Sequence, residues 1–346
     1  MAASKGSVLI TGANGGLGIA IVKQVVSQPE LANYHGLYTV RDAESAPALR
    51  PVLAGYPSHQ HDILLLDLTN IDSIRQAAEA INRRVSAREI PPIRALILNA
   101  GYQNLSTQTW GADGLDPTFA VNYLGHWLLT LLLLKSIEKS SGRIVVVGSQ
   151  VHDPHSRLNT MIRFQNPFAD DTLIRDQHTF EAIARGAWNP ISEDPSWRSG
   201  YRRYGAAKLC AMMMMLNLQR RMSQDVALSQ VCILAVDPGY MSTGLQRHAH
   251  WFVRVVIFQI LFPISAWLVP GGPIRSPNTS ASHVLRAAFD SGPGIGELPK
   301  GLYFDGIEPA ETSMESRDTS KQDWVWKGSV NLTNLRQGDT VLGNWR

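Results

Sequence analysis

Residues 7–18, Ser-Val-Leu-Ile-Thr-Gly-Ala-Asn-Gly-Gly-Leu-Gly, constrain this chain more than any other stretch. The apolar run Val8-Leu9-Ile10 ends in Thr11-Gly12. Glycines follow at Gly15, Gly16 and Gly18, and Ile19-Ala20-Ile21-Val22 then has helical character. Strand, tight turn and helix in that order bring backbone N–H groups and a helix N-terminus to face an anion such as a pyrophosphate. One glycine makes the turn, one lets the backbone approach the phosphates, and one lets the helix pack close to the strand. A glycine-rich turn of some other α/β protein shows the same pattern, so the rest of the chain has to decide.

Downstream, apolar runs alternate with helical patterns. Gly36–Val40 predicts a second strand ending in Arg41-Asp42. An acidic residue at that place holds a free ribose 2′-hydroxyl, whereas an arginine can pair with a 2′-phosphate. Arg41 therefore points to NADP, with a solvated loop arginine as the other reading. Ile63–Leu66 is continuously apolar, as expected for a central parallel strand buried on both faces, and runs into Asp67-Leu68. An amphipathic helix is predicted over 71–88, with Asp67, Thr69 or Asn70 available as its cap. Further strands are predicted over 94–98, 143–147, 230–236 and 301–304. They lead respectively into Asn99-Ala100-Gly101, Gly148-Ser149, Asp237-Pro238-Gly239 and the tail. Asn122 precedes a very apolar helix, 127–134, and His126 beside it reads as a packing histidine. Tyr204 and Lys208 are four apart and so share one helix face. Tyrosine ionises near pH 10, and a neighbouring ammonium favours its phenolate, bringing the proton within use at neutral pH. Tyr201 lacks such a partner, since Gly205 stands four residues on. Met212–Met215 read as packing, and no metal site is expected.

With Thr11-Gly12-x-x-x-Gly16-x-Gly18 in first place, this ordered set resembles the short-chain dehydrogenase/reductase family over about residues 7–305. The resemblance implies an α/β fold: a Rossmann-type, doubly wound parallel sheet with helices on both faces, in a single domain. It implies Asn122, Ser149, Tyr204 and Lys208 as the catalytic set. Tyr204 would be the proton donor, Ser149 would hold the substrate oxygen, and Asn122 would anchor a water that relays protons to Lys208. It also implies cofactor contacts from Thr11, Gly12, Asn14, Gly16, Leu17, Gly18, Arg41, Asp67, Leu68, Asn99, Ala100, Gly101, Tyr204, Lys208, Pro238, Gly239 and Thr243. The expected reaction is reversible, NADPH-dependent reduction of a ketone or aldehyde on a lipophilic molecule such as a terpenoid, polyketide or steroid. Reduction of an enone double bond on the same scaffold, or a non-catalytic dinucleotide-binding regulator, is the alternative; the intact tetrad weighs against the regulator.

Two departures from the family pattern stand out. Ser149 and Tyr204 lie 55 positions apart, with an insertion at about 151–199 that carries Phe164, Phe168, Trp188, Pro190, Pro195 and Trp197. It resembles the insertion of monomeric carbonyl reductases, which implies a monomer and a reshaped substrate pocket. Residues 251–269, WFVRVVIFQILFPISAWLV, are nearly all apolar and, at nineteen, approach a bilayer span. Arg254, Gln259 and Pro263 oppose a span. The family's fold makes about 240–280 a substrate lid, with peripheral membrane contact ranked second. Residues 306–346, with Trp324, Trp326 and Trp345, are expected to wrap the domain. Val325-Trp326-Lys327-Gly328 resembles tails of fungal biosynthetic members, which implies secondary metabolism.

Composition removes other classes. Of 346 residues, 44% are hydrophobic, enough for a full core, and the net charge of +3 contains no like-charge block that suits nucleic acid. Cys210 and Cys232 lie in apolar runs and read as buried free thiols, which fits a reducing, cytoplasmic setting. The first strand begins near residue 7, so no signal peptide is expected, and the sequons at Asn104, Asn278 and Asn331 read as chance matches.

Overall fold

The computed structural model describes residues 5–42, 44, 46–156, 172–241, 272 and 274–346. Their core is one eight-stranded sheet in the order β3-β2-β1-β4-β5-β6-β7-β8. The strands are β1 (Ser7–Ile10), β2 (His35–Val40), β3 (His61–Leu65), β4 (Ile93–Leu98), β5 (Arg143–Val147), β6 (Cys232–Asp237), β7 (Tyr303–Asp305) and β8 (Glu308–Ala310). The first seven run parallel, and β8 returns antiparallel along β7. Strand order reverses between β1 and β4, and a crevice opens there beyond the strands' carboxyl ends.

Period-two alternation divides the core into two layers. Val8, Ile10, Val145 and Val236 face α1 (Gly16–Ser27) and a C-terminal helix, Pro277–Phe289. Leu9, Ile144, Val146 and Ile233 face the other layer. That layer holds α2 (Ile71–Ser86), α3 (Gly125–Leu133), α4 (Gln177–Ala184) and α5 (Trp197–Gln224). Pro277–Phe289 is α6 and the tail helix Thr319–Thr333 is α7. Among the described residues one helical stretch, Pro117–Ser136, is long and apolar enough to cross a bilayer, and 89% of its apolar window is buried as a core element.

Several sequence expectations need correction. The apolar run 63–66 is not a central strand. Most of it forms β3 at the sheet edge, half-buried, with Leu65 57% exposed. An apolar run reads alike in either position, and among the described residues β3 has no second neighbour. Helix α2 stops at Ser86, and Arg88 takes a left-handed φ of 59° beyond it. Its cap is Asn70, whose side chain accepts from Ser73 N at 3.0 Å. Asp67 is not the cap; its carboxylate accepts from the backbone and hydroxyl of Thr69 instead. The apolar helix begins earlier than expected, at Gly125, and is preceded by a π-turn over Ala120–Leu124. β6 begins two residues later and ends one residue later than expected, and β8 was not expected at all.

The tail lies on the α5 layer. Trp326 stacks edge-on against Trp127 of α3 at 5.2 Å and donates to the Trp345 carbonyl at 2.6 Å. Arg221 of α5 covers its outer face, 4.4 Å from the ring. Gly328 is the point of closest approach to α4, since a Cβ there would sit 2.2 Å from the Phe180 ring. The methionines 212–215 are buried in the same layer, and both cysteines are buried and free.

Candidate active site

The glycine turn folds as its spacing requires. Gly12 has a φ of 66°, and a Cβ on it would meet Ala100 Cα at 2.9 Å. A Cβ on Gly18 would lie 2.4 Å from the Gly12 carbonyl, so α1 can start this close to β1 only with glycine there. Gly15 caps α1 without any side-chain hydrogen bond, so among the described residues no capping side chain takes the first-turn N–H groups that a pyrophosphate would need. Leu17 is buried in the core below the turn.

The neighbouring motif residues mostly hold one another. Thr11 Oγ1 accepts the N–H groups of Asn99 and Ala100, each at 2.9 Å, and Asn99 Nδ2 donates back to the Thr11 carbonyl at 2.7 Å. Asn14 Oδ1 accepts from Ala48 N and Leu49 N, both at 3.0 Å, and so caps the short helix 49–54 that follows the Arg41 loop. Arg41 is exposed immediately past β2. Asp67 is half-buried past β3, while the Leu68 side chain is buried and packs against Gly125. Gly101 is exposed at the end of the Asn99-Ala100-Gly101 turn.

Four further residues converge on the ends of β4, β5 and β6. Asn122 sits in the π-turn, a bulge often found at functional sites. Its Nδ2 donates to the carbonyls of Tyr102 (2.6 Å) and Thr118 (2.7 Å), which fastens the bend to the chain just past Gly101. Ser149 is extended and caps the single turn 150–152. Gly205 lets α5 press on that turn, since a Cβ there would lie 2.8 Å from the Val151 carbonyl. Tyr204 next to it faces the Ser149 hydroxyl, near enough for that group to favour its ionised form. Lys208 Nζ donates to the Val147 carbonyl at 2.8 Å and lies 5.6 Å from the Tyr204 ring centre.

The electrostatics refine the sequence expectation. Burial lowers Lys208 to about 8, against the pull of Asp237. Burial, then the Asp237 carboxylate, then Tyr201 raise Tyr204, and only the Ser149 hydroxyl lowers it. Within the chain itself the phenol is therefore held protonated, the state of a proton donor. His126 is buried, and burial together with Lys208 lowers it to about 3, so it is a neutral packing histidine as expected.

Other residues of this site were not read from sequence. Asp237 is buried and accepts from Gly239 N and Gln150 N, each at 2.8 Å. An acid closing an otherwise apolar strand was the signal available. Tyr240 Oη lies 3.2 Å from Tyr201 Oη, which gives Tyr201 a partner without making it catalytic. His152 Nδ1 is 2.7 Å from the Ser149 carbonyl, and its Nε2 accepts from Ser313 N of the tail at 3.1 Å. Pro238 takes the Ser280 hydroxyl on its carbonyl, and Gly239 uses a φ of 77°. Thr243, Phe164, Phe168 and the apolar stretch 251–269 lie outside the described residues.

Residues 6–159 match the family model described as short chain dehydrogenase. Over 364 aligned positions the chain is 40% identical to the short-chain dehydrogenase iccH of Talaromyces variabilis, covering 99% of each. It is 29% identical to the chloroplastic protochlorophyllide reductase of Daucus carota, over 96% of this chain and 79% of that one. The NADPH-bound carbonyl reductase from chicken fatty liver superposes with a TM-score of 0.58 at 16% identity, over 88% of this chain and 98% of that one, which is a likeness of fold.

Proposed function

This chain belongs to the short-chain dehydrogenase family, and from that premise we propose that it reduces a ketone or aldehyde of a lipophilic small molecule to an alcohol, reversibly, with NADPH. The observation that carries the reading is the Ser149–Tyr204–Lys208 cluster at the sheet edge that also bears the glycine turn. Bound NADPH would supply a hydride to the carbonyl carbon. Gly12, Gly16 and Gly18 leave room for its pyrophosphate at the start of α1, and Arg41 is the cation available to a 2′-phosphate.

The chain's own residues then handle the oxygen. The hydroxyls of Ser149 and Tyr204 donate to it and stabilise the charge that grows there. Tyr204 gives its proton to the forming alkoxide, and the Lys208 ammonium offsets the phenolate left behind. Asn122 holds the π-turn against Tyr102 and so fixes one wall of the site. Tyr240 and Ile274 form a bridge, and Tyr240 Oη lies 3.2 Å from Tyr201 Oη. The apolar sequence of 251–269 supports an apolar substrate. With α4 and α7 laid over the α5 layer, we also propose that the protein is a monomer, which light scattering would test.

The direct test is loss of NADPH absorbance with a panel of lipophilic ketones and enones, run beside NADH and beside Tyr204→Phe. Turnover that prefers NADPH and vanishes in the variant is expected. Turnover retained by Tyr204→Phe would overturn the assignment, and a saturated ketone in place of an alcohol would move it to double-bond reduction.

A further inference from the structure

The end of β6 carries a carboxylate whose position has no packing rationale. Asp237 is 3% exposed at the close of a strand that is otherwise Cys-Ile-Leu-Ala-Val. Each oxygen is used: Oδ2 accepts from Gln150 N and Oδ1 from Gly239 N, both at 2.8 Å. Its backbone carbonyl accepts from Gly306 N at 2.9 Å and from Arg275 Nη1 at 3.1 Å. One residue thus joins the turn after β5, the turn after β6, the β7–β8 turn and the base of α6.

We propose that Asp237 is a positioning residue of the site: its buried carboxylate fastens the strand end that carries Ser149 to the Pro238-Gly239 turn and sets the charge felt by Tyr204 and Lys208. The register supports the clamp. Val147 and Val236 are paired, and Gly148 N donates to the Val236 carbonyl at 2.7 Å. The ladder would end there, one residue short of Ser149; the Asp237 side chain carries it past the serine to Gln150.

The groups facing the carboxylate define its charge environment. Tyr201, Tyr204 and Lys208 come from α5, Tyr240 from beyond Gly239, Tyr303 and Asp305 from β7, and Arg275 from the base of α6. Arg275 is shared, since its Nη2 also donates to Asp305 at 2.7 Å. Burial and Asp305 raise Asp237 to about 6, against the two N–H bonds and Arg275. It is ionised at neutral pH, where it stabilises the Lys208 ammonium and opposes ionisation of Tyr204. Its protonation below that value removes the charge and weakens one of the two clamping bonds.

The inference rests on the proposed reductase reading for its catalytic meaning, and the following test does not depend on turnover. Ultraviolet tyrosinate titration of the whole protein, with the Tyr204→Phe difference taken in each background, reads Tyr204 alone. Asp237→Asn keeps the shape and removes the charge. It is expected to lower the Tyr204 midpoint by roughly one pH unit, about tenfold in acidity, and to speed amide exchange at Gln150 and Gly239. An unmoved midpoint would overturn the electrostatic part, and unchanged exchange the clamp. Should Asp237→Asn fail to fold, Asp305→Asn carries the test. Removing that neighbouring anion should lower the midpoint at which a buried carboxyl band appears in infrared titration, and an unmoved band would overturn the proposal. If the carbonyl panel shows no turnover while these titrations behave as stated, the substrate reading fails and the role of Asp237 stands.

Discussion

Thr11 Oγ1 lies 2.9 Å from His126 Nε2 and accepts the N–H groups of Asn99 and Ala100, while His126 itself faces the Asn122 backbone. One hydroxyl and one neutral imidazole therefore link the glycine turn, the end of β4 and the π-turn. Thr11→Val keeps the side-chain shape and strands the Ala100 N–H, while Asn99 N keeps its second acceptor, the Ile97 carbonyl at 3.0 Å; one unsatisfied donor costs roughly 1–3 kcal/mol. Urea unfolding should show a loss in that range, and NADPH fluorescence titration should show weaker binding.

Tyr204→Phe removes the proposed proton donor without touching the glycine turn. Turnover should fall by about two to four orders of magnitude, the usual worth of a positioned acid. NADPH affinity measured by fluorescence should stay within a few-fold of the unaltered protein.

Lys208 titrates at about 8 because burial disfavours its charge. Turnover should decline as pH rises through that value, since the neutral amine no longer offsets the Tyr204 phenolate. Stability moves the other way. An unfolded lysine keeps its proton to about pH 10.4, so between the two values the unfolded chain binds more protons and this group's contribution to stability grows with pH. Rate profiles and thermal melts from pH 7 to 10 would separate loss of the ammonium from alkaline unfolding.

Arg41→Ala should weaken NADPH by about tenfold, the scale of one charge-assisted phosphate contact of roughly 1.4 kcal/mol. NADH binding should hardly change. Equal losses for both would place Arg41 away from the 2′-phosphate.

Gly328→Ala tests the seat of the insertion on the tail. The added methyl would lie 2.2 Å from the Phe180 ring, which is fully buried. Overpacking of this kind costs about 1–3 kcal/mol. A lower melting temperature and faster proteolysis near α4 are the expected readouts.

The Tyr204–Lys208 pair and the strand-end turns of the candidate site were legible because their information is local. Tyr204 and Lys208 share a helix face by spacing alone, and each strand end announces its own turn residues. The role of Asp237 was not legible, because the N–H it accepts from Gln150 lies 87 positions away in sequence. Nor could the edge position of β3 be read, since Ile63-Leu64-Leu65 looks the same beside one neighbour or two. Strand β8 is Glu-Pro-Ala, poor in strand-forming types; the Gly306 turn at a φ of 64° and the pairing with β7 create it.

The bond from Ser313 to His152, and through His152 to the Ser149 carbonyl, has a consequence for biosynthesis. A ribosome that has passed Gly301 has already made Asn122, Ser149, Tyr204 and Lys208. It has yet to make Ser313, and also Glu315, whose carboxylate accepts the Leu173 and Ile174 N–H groups of the insertion. The nascent chain thus carries Ser149 and the insertion before it carries the residues that strap them in place.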